Sequence, residues 1–257
     1  MDNPTLPAIF FGHGSPMNAI EDNEFSRAWS ELGRTIPRPG AILCISAHWQ
    51  THGTQVTAME RPKTIYDFYG FPPELYRKVY PAPGSADLAR QVQALLAPMP
   101  AAQDQEWGLD HGTWSVLSRV YPLADIPVVQ LSLDATQPEA YHYELAKKLR
   151  PLRKQGVLVV GSGNIVHNLS LINRKDHPLD WALEADARAK ELIETRDHAG
   201  MIAFPGSSRA ARLAVPTNEH FLPLLYILAL QTDHDPLRFF TENISLGSLA
   251  MRGIVIG

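Results

Sequence analysis

The sequence is short of cysteine, of clustered positive charge and of long apolar runs, and each shortage excludes a class of protein. Its one cysteine, Cys44, lies in an apolar run, so we expect a buried, inert thiol and a reducing, cytoplasmic location. No Lys/Arg run exceeds two residues and the net charge is −4, so nucleic acid is not an expected partner. No apolar stretch approaches the roughly 18 residues of a membrane span, so no membrane partner is expected. Residues 1–4 carry no basic region, so no signal peptide is expected.

What the chain does contain is apolar material in an alternating pattern. Hydrophobic residues make up 45% of the 257 residues and charged residues 19%, which is enough for a sizeable core. Predicted strands occupy residues 7–11, 41–46, 55–59, 126–133, 156–160 and 251–256. Predicted helices occupy residues 22–36, 85–96, 112–121, 138–150, 179–196 and 221–230. A long loop is expected over 60–84. The alternation predicts a single α/β domain over residues 1–257, a three-layer α/β/α arrangement around a mainly parallel sheet.

Three histidines follow predicted strands closely. His13 and His48 come directly after the first two strands, and His167 follows the glycine-rich turn beyond the strand at 156–160. Because ligands of open α/β sheets bind at the carboxyl edge of the strands, these three side chains are expected to converge although they are far apart in sequence.

Two further histidines lie in unusual surroundings. His220 follows Glu219 at the start of an apolar helix, and His111 follows Asp110 at the start of another. Each of the five is by itself equally well explained as a turn, core or helix-capping residue. Together they indicate a metal centre, since imidazole binds Fe, Zn, Cu and Ni. The absence of cysteine ligands argues against a finger-type zinc site, but the spacing leaves catalytic zinc and non-haem iron equally open.

The remaining histidines are expected to be solvated surface side chains. They are His52, His142, His177, His198 and His234.

The histidines lie in motifs that together resemble one known family. The motifs are Gly12-His13-Gly14-Ser15-Pro16-Met17, Ser46-Ala47-His48-Trp49, Asp110-His111-Gly112, Gly163-Asn164-Ile165-Val166-His167-Asn168 and Glu219-His220-Phe221-Leu222-Pro223-Leu224-Leu225. In this order they resemble the class III (LigB-type) extradiol dioxygenases, and are most similar to the DOPA 4,5-dioxygenase branch. The resemblance covers residues 7–257 and implies a single-domain α/β fold.

The resemblance also implies an activity and a metal site. The activity is cleavage of a catechol ring by O₂ next to one hydroxyl, at Fe(II). His13 and His48 match the two metal-binding histidines, and His167 matches an acid/base that can also bind the metal when substrate is absent. Better-known members use a carboxylate as last ligand, whereas here Glu219 and His220 are adjacent. Adjacent residues seldom reach one ion, so His220 is the favoured ligand. An all-histidine site also binds Zn(II), which can displace Fe(II).

The partners expected from this assignment are a small catechol, DOPA-like or another aromatic diol, and O₂. His111, oriented by Asp110, is expected to hydrogen-bond a substrate oxygen, and Asp110 itself is expected to bind the substrate. Tyr66 and Phe71, on the aromatic loop (residues 66–71), are expected to cover the ring. Two alternatives are a zinc hydrolase and a non-catalytic metal-binding protein on the same fold. A site that only binds a metal needs three ligands, so the additional His111 and His167 argue against the non-catalytic alternative. The natural catechol, the native metal and the oligomeric state stay open.

Overall fold

A large mixed sheet organises the molecule. The computed structural model describes residues 5–173, 175 and 177–257, so the segment 1–4, where no leader was expected, lies outside the described residues. The strands are β1 (Ala8–Gly12), β2 (Ala41–Thr51), β3 (Thr54–Thr57), β4 (Ala101–Asp104), β5 (Val128–Asp134), β6 (Val157–Gly163), β7 (Leu237–Phe240), β8 (Ile244–Ser245), β9 (Leu249–Ala250) and β10 (Gly253–Ile256). Strands β8 and β9 pair separately from the rest.

The centre of the sheet is parallel, and an antiparallel pairing joins it to the flanking strands on each side. In the part of the chain that the structure describes, eight strands lie in the order β4-β3-β5-β2-β6-β1-β10-β7. The neighbours β5, β2, β6 and β1 are all parallel, whereas β10 runs antiparallel to both β1 and β7. The carboxyl ends of four central strands therefore meet at one edge, as the sequence predicted.

Helices connect these strands and cover both faces of the sheet. They are α1 (Glu24–Thr35), α2 (Pro73–Tyr76), α3 (Ala86–Leu96), α4 (His111–Val120), α5 (Glu139–Lys147), α6 (Pro151–Lys154), α7 (Asp180–Glu194), α8 (His198–Ile202), α9 (Phe204–Ser207), α10 (Arg209–Ala214) and α11 (Leu222–Ala229). Among the described residues, no helix combines the length and the apolar character that crossing a membrane requires.

The alternation of side chains along the strands creates two separate cores. Ile9 and Phe11 of β1 pack on one face with α1 and α4, while Ala8 and Phe10 pack on the other with α3, α5, α7 and α11. This is the predicted three-layer α/β/α arrangement. Cys44 of β2 is fully buried against Thr113 of α4, which confirms the expected burial, and burial raises the pKa of its thiol.

Several element boundaries differ from the sequence prediction. Strand β2 continues to Thr51, five residues past its predicted end, and the loop at 60–84 contains the short helix α2. The strands β4 and β7 and the helices α8 to α10 were not predicted. Each has six residues or fewer, too few for a hydrophobic period to be recognised.

Candidate metal centre

Two of the five histidines are positioned at the carboxyl edge by β1 and β2, the parallel strands on either side of β6. His13 directly follows β1, and its backbone N–H donates to the carbonyl of Gly163 at the end of β6. His48 lies inside β2, where the pairing with β5 shifts between Ile45 and Gln50. Such bulges redirect a side chain, and here the irregularity lets His48 project from within a strand rather than beyond its end.

His220 reaches the same edge because glycine allows a close approach between β6 and the start of α11. A Cβ on Gly163 would lie 2.1 Å from the carbonyl oxygen of His220, and one on Gly161 would lie 2.6 Å from that of Pro223. The backbone N–H of Asn164 then donates to the His220 carbonyl at 2.9 Å. Only a residue without a side chain permits this contact.

The three rings point their ligand atoms at one place. The Nε2 atoms of His13 and His48 are 3.1 Å apart, and the ligand atoms of His13, His48 and His220 all lie within 4.8 Å of one another. Two nitrogens bound at the usual 2.0–2.1 Å to one ion stand about 3 Å apart. The donor set therefore fits a single transition-metal ion.

The groups behind the three rings, two in hydrogen-bond contact and one carboxylate at ion-pair distance, favour a proton on Nδ1 of each ring. Ser162 donates its one hydroxyl proton to the Gly112 carbonyl at 2.6 Å, so it must accept from Nδ1 of His13 at 2.9 Å. A carboxylate oxygen of Glu219 lies 3.0 Å from Nδ1 of His220. A carboxylate oxygen of Asp67 lies 3.4 Å from Nδ1 of His48. With the protons on Nδ1, all three Nε2 atoms keep a lone pair for the metal.

The rings are neutral, as ligands must be. Burial, followed by the proximity of the other imidazoles, lowers the pKa of His13, His48 and His220 well below the ordinary value of 6.5. Neutral imidazole is the form that binds metal ions, so the site needs no deprotonation at neutral pH.

His167 lies beside the three-histidine group rather than in it. Its ring stacks on that of His220 with the centroids 3.5 Å apart, and its ligand atom groups with those of Glu219 and His220. Burial lowers the pKa of His167 to about 4, which keeps its imidazole neutral at pH 7 and makes it a weaker base than an exposed histidine.

The carboxylate that holds His111 is Asp67, and the prediction that Asp110 orients this ring is wrong. Asp67 accepts from the backbone N–H of His111 at 2.9 Å and lies 3.0 Å from its Nδ1. Asp110 caps α4 and is fully buried. Its oxygens accept from Ser46, Trp107, Thr113 and Gln130. A carboxylate with four donors has no free face for a substrate, which argues against the predicted substrate contact.

The aromatic loop also brings Phe68 to the site, a residue of the loop that was not among those expected to cover the ring. The Phe68 ring meets His111 edge-on with centroids 5.5 Å apart. Phe71 packs against Phe68 from behind, and Tyr66 donates its hydroxyl to the Lys78 carbonyl at 2.9 Å. Tyr66 and Phe71 thus support the loop, and Phe68 is the aromatic side chain of the loop that contacts His111.

Two histidines expected at the surface are not there. His142 is fully buried, with its Nδ1 3.0 Å from the Tyr226 hydroxyl, and His198 is half-buried between Tyr143 and Gln231. Both lie on the helical layer around α5 and α8, away from the metal centre. The polar residues around them in the sequence suggested exposure, but tertiary packing covers them.

Comparison with known proteins assigns the chain to a family. Residues 7–247 match the family described as the catalytic LigB subunit of aromatic ring-opening dioxygenase. A 4,5-DOPA dioxygenase extradiol from Escherichia coli (strain K12) is 46% identical, over 100% of this chain and 97% of that protein. One from Beta vulgaris is 39% identical, over 84% and 83% of the two chains. The crystal structure of an uncharacterized protein from Escherichia coli K12 superposes with a TM-score of 0.86 at 43% identity, over 98% and 100% of the chains.

The fold and the site define an α/β protein whose histidine centre fits one metal ion. The chain belongs to the LigB family of aromatic ring-opening dioxygenases and is an oxidoreductase of that class. The resemblance drawn from the motifs is thereby confirmed, and the comparisons favour neither the zinc hydrolase nor the non-catalytic alternative.

Proposed function

We propose that the enzyme opens the ring of a catechol with O₂, next to one hydroxyl, at one non-haem Fe(II) within a single catalytic domain. The main support is the convergence of the ligand atoms of His13, His48 and His220, within 4.8 Å of one another, in a chain of this family. The names of the relatives make a DOPA-like catechol the proposed substrate class. Zn(II) is the proposed competing occupant, because neutral imidazoles bind it well. A reducing compartment, the cytoplasm, suits both Fe(II) and the buried thiol of Cys44.

The protein's own groups bind, orient and exchange protons around this centre. Bound Fe(II) would supply the redox chemistry between catechol and O₂. His167 lies beside the centre, stacked on His220, and its neutral imidazole is the form that can take a proton from a catechol hydroxyl and return it later. His111, held through Nδ1 by Asp67, has its Nε2 available for a substrate oxygen. Phe68 offers the aromatic surface nearest to that position.

A reconstitution experiment tests the reaction. The protein is loaded with Fe(II) without air, mixed with L-DOPA or a simpler catechol, and then exposed to O₂. We expect O₂ uptake together with a yellow ring-opened semialdehyde, one O₂ for each ring cleaved.

The matched control is a pair of histidine variants. His48→Ala should lose both the metal and the activity, while His52→Ala, which changes an exposed ring, should keep both. Iron retained with no O₂ uptake across a panel of catechols would instead support a hydrolytic or non-catalytic role.

A further inference from the structure

One carboxylate lies between the proposed metal centre and the proposed substrate side of the site. Asp67 belongs to the aromatic loop, and its side chain is 17% exposed. Its Oδ1 accepts from the backbone N–H of His111, and its Oδ2 lies 3.0 Å from Nδ1 of His111 and 3.4 Å from Nδ1 of His48. The same oxygen therefore lies near both rings.

The chemistry of the three groups determines where the ring protons are. An ionised carboxylate only accepts hydrogen bonds, so the proton of each neutral ring is favoured on the nitrogen that faces it. His48 then presents its lone pair at Nε2, the atom that lies 3.1 Å from Nε2 of His13. His111 likewise keeps Nε2 free on the side away from the carboxylate.

The two rings are also close to each other. The centroids of His48 and His111 are 3.8 Å apart with the planes tilted by 46°. A shift in either ring would therefore displace the other, and Asp67 is the acidic side chain that lies against both. His13 and His220 have separate acceptors, Ser162 and Glu219.

We propose that Asp67 is a positioning residue that holds the metal ligand His48 and the substrate-facing His111 in their Nδ1-protonated tautomers at the same time. The arrangement makes the aromatic loop part of the metal centre, since the loop supplies the acceptor behind one of its ligands. This inference rests on the proposed function for the role of His111 but not for the role of His48.

The test uses Asp67→Asn, which keeps the size of the side chain and places an amide donor where both rings have an acceptor. The zinc-loaded protein, with ¹⁵N-labelled histidine, reports each tautomer by NMR. We expect His111 to change from the Nδ1-H to the Nε2-H form. Loss of a supporting acceptor typically lowers metal affinity or activity by about 10–100-fold, so zinc affinity, and kcat of the Fe(II) enzyme, should fall by that order.

Two further variants separate positioning from loop stability. Thr64→Val removes a different anchor of the same loop, the hydrogen bond from the Tyr80 N–H, and should leave the tautomers and zinc affinity unchanged. Asp67→Glu, which retains a carboxylate, should restore the Nδ1-H form at least in part. If Asp67→Asn does not fold, Asp67→Ala replaces it, because it removes the acceptor without adding a donor.

The outcomes distinguish this inference from the proposed function. Unchanged tautomers and unchanged zinc affinity in the folded Asp67→Asn protein would overturn the role of Asp67, even if the wild type cleaves catechols. If the wild type cleaves no catechol while Asp67→Asn still moves the His111 proton and weakens zinc binding, the proposed reaction fails and the positioning role stands.

Discussion

At the scale of single residues, the centre depends on what lies behind each ring as much as on the rings themselves. His13 has a serine behind it, His48 an aspartate and His220 a glutamate, and each acceptor favours a lone pair at Nε2. Such outer contacts fix ring orientation and raise the basicity of the ligand nitrogen. The acceptors are therefore expected to matter for metal affinity even though none of them needs to touch the ion.

The pair Glu219 and His220 gives the sharpest residue-scale prediction. Because Glu219 lies against Nδ1 of His220, His220→Ala should abolish stoichiometric metal binding, whereas Glu219→Gln should weaken it by only about 10–100-fold. Competition with a metallochromic chelator measures both affinities. The exposed Glu106→Gln is the control and should bind like the wild type. Full loss in Glu219→Gln with retention in His220→Ala would make Glu219 the ligand.

His167 carries a second prediction, on turnover rather than on metal binding. His167→Ala should keep most of its iron, since its ligand atom is outside the three-histidine group, and should lower kcat by about 10²–10⁴-fold, the usual contribution of a positioned acid/base. Iron content and single-turnover kinetics measured on one preparation separate the two effects. If His167→Ala turns over at the wild-type rate, His167 is not the acid/base.

The metal-binding histidines could be predicted from the sequence better than the groups that hold their rings. His13 and His48 follow apolar segments and His220 precedes one, so local pattern is sufficient to propose them. Ser162 lies 149 residues from His13, and Asp67 lies 44 residues from His111. Pairings at such separations are created by the sheet and by the path of a long loop. Asp110 was chosen instead of Asp67 because it was the neighbour in sequence.

At the scale of elements, the junction between β6 and α11 positions His220. Gly163→Ala would place a methyl group against the His220 carbonyl, and overpacking of this kind costs about 1–3 kcal/mol. We expect a lower free energy of unfolding in urea and weaker metal binding, because the backbone of His220 must move.

Gly206→Ala is the matched substitution for that experiment. No atom lies within 4 Å of a Cβ built there, and the residue is in α9. Its stability should be unchanged or slightly higher. Equal metal affinity in the two alanine variants would show that the close approach at Gly163 does not position His220.

The position of His48 shows where element prediction from sequence reaches its limit. The apolar run that ends at Ser46 predicted the start of the strand correctly but placed its end five residues too early. Strand β2 continues because Gln50 and Thr51 pair with Leu133 and Asp134 of β5 after the irregular stretch. That register depends on a strand about eighty residues later and leaves no local signal.

At the scale of the whole molecule, buried histidines away from the centre couple stability to pH. Burial lowers the pKa of His142, so below its ordinary value of about 6.5 the unfolded chain binds a proton that the folded protein does not. Its contribution to stability is therefore complete above about pH 6.5 and is lost as the pH falls toward the lower folded pKa.

The expected result is a difference between two titrations. The free energy of unfolding of the wild type, measured in urea with a chelator present, should fall more steeply between about pH 7.5 and 5.5 than that of His142→Gln, a range around the ordinary histidine pKa. The other buried histidines contribute equally to both proteins. Parallel slopes would mean that His142 titrates in the folded protein as it does in the unfolded chain.

The acceptors behind the metal-site rings also determine how the protein exchanges its metal. Ser162, Asp67 and Glu219 hold the rings with groups that belong to the fold and stay in place when an ion leaves. Little conformational freedom is then lost when an ion enters. A preparation purified with the wrong metal should therefore be recoverable by stripping with a chelator and dialysis against Fe(II), with no refolding step.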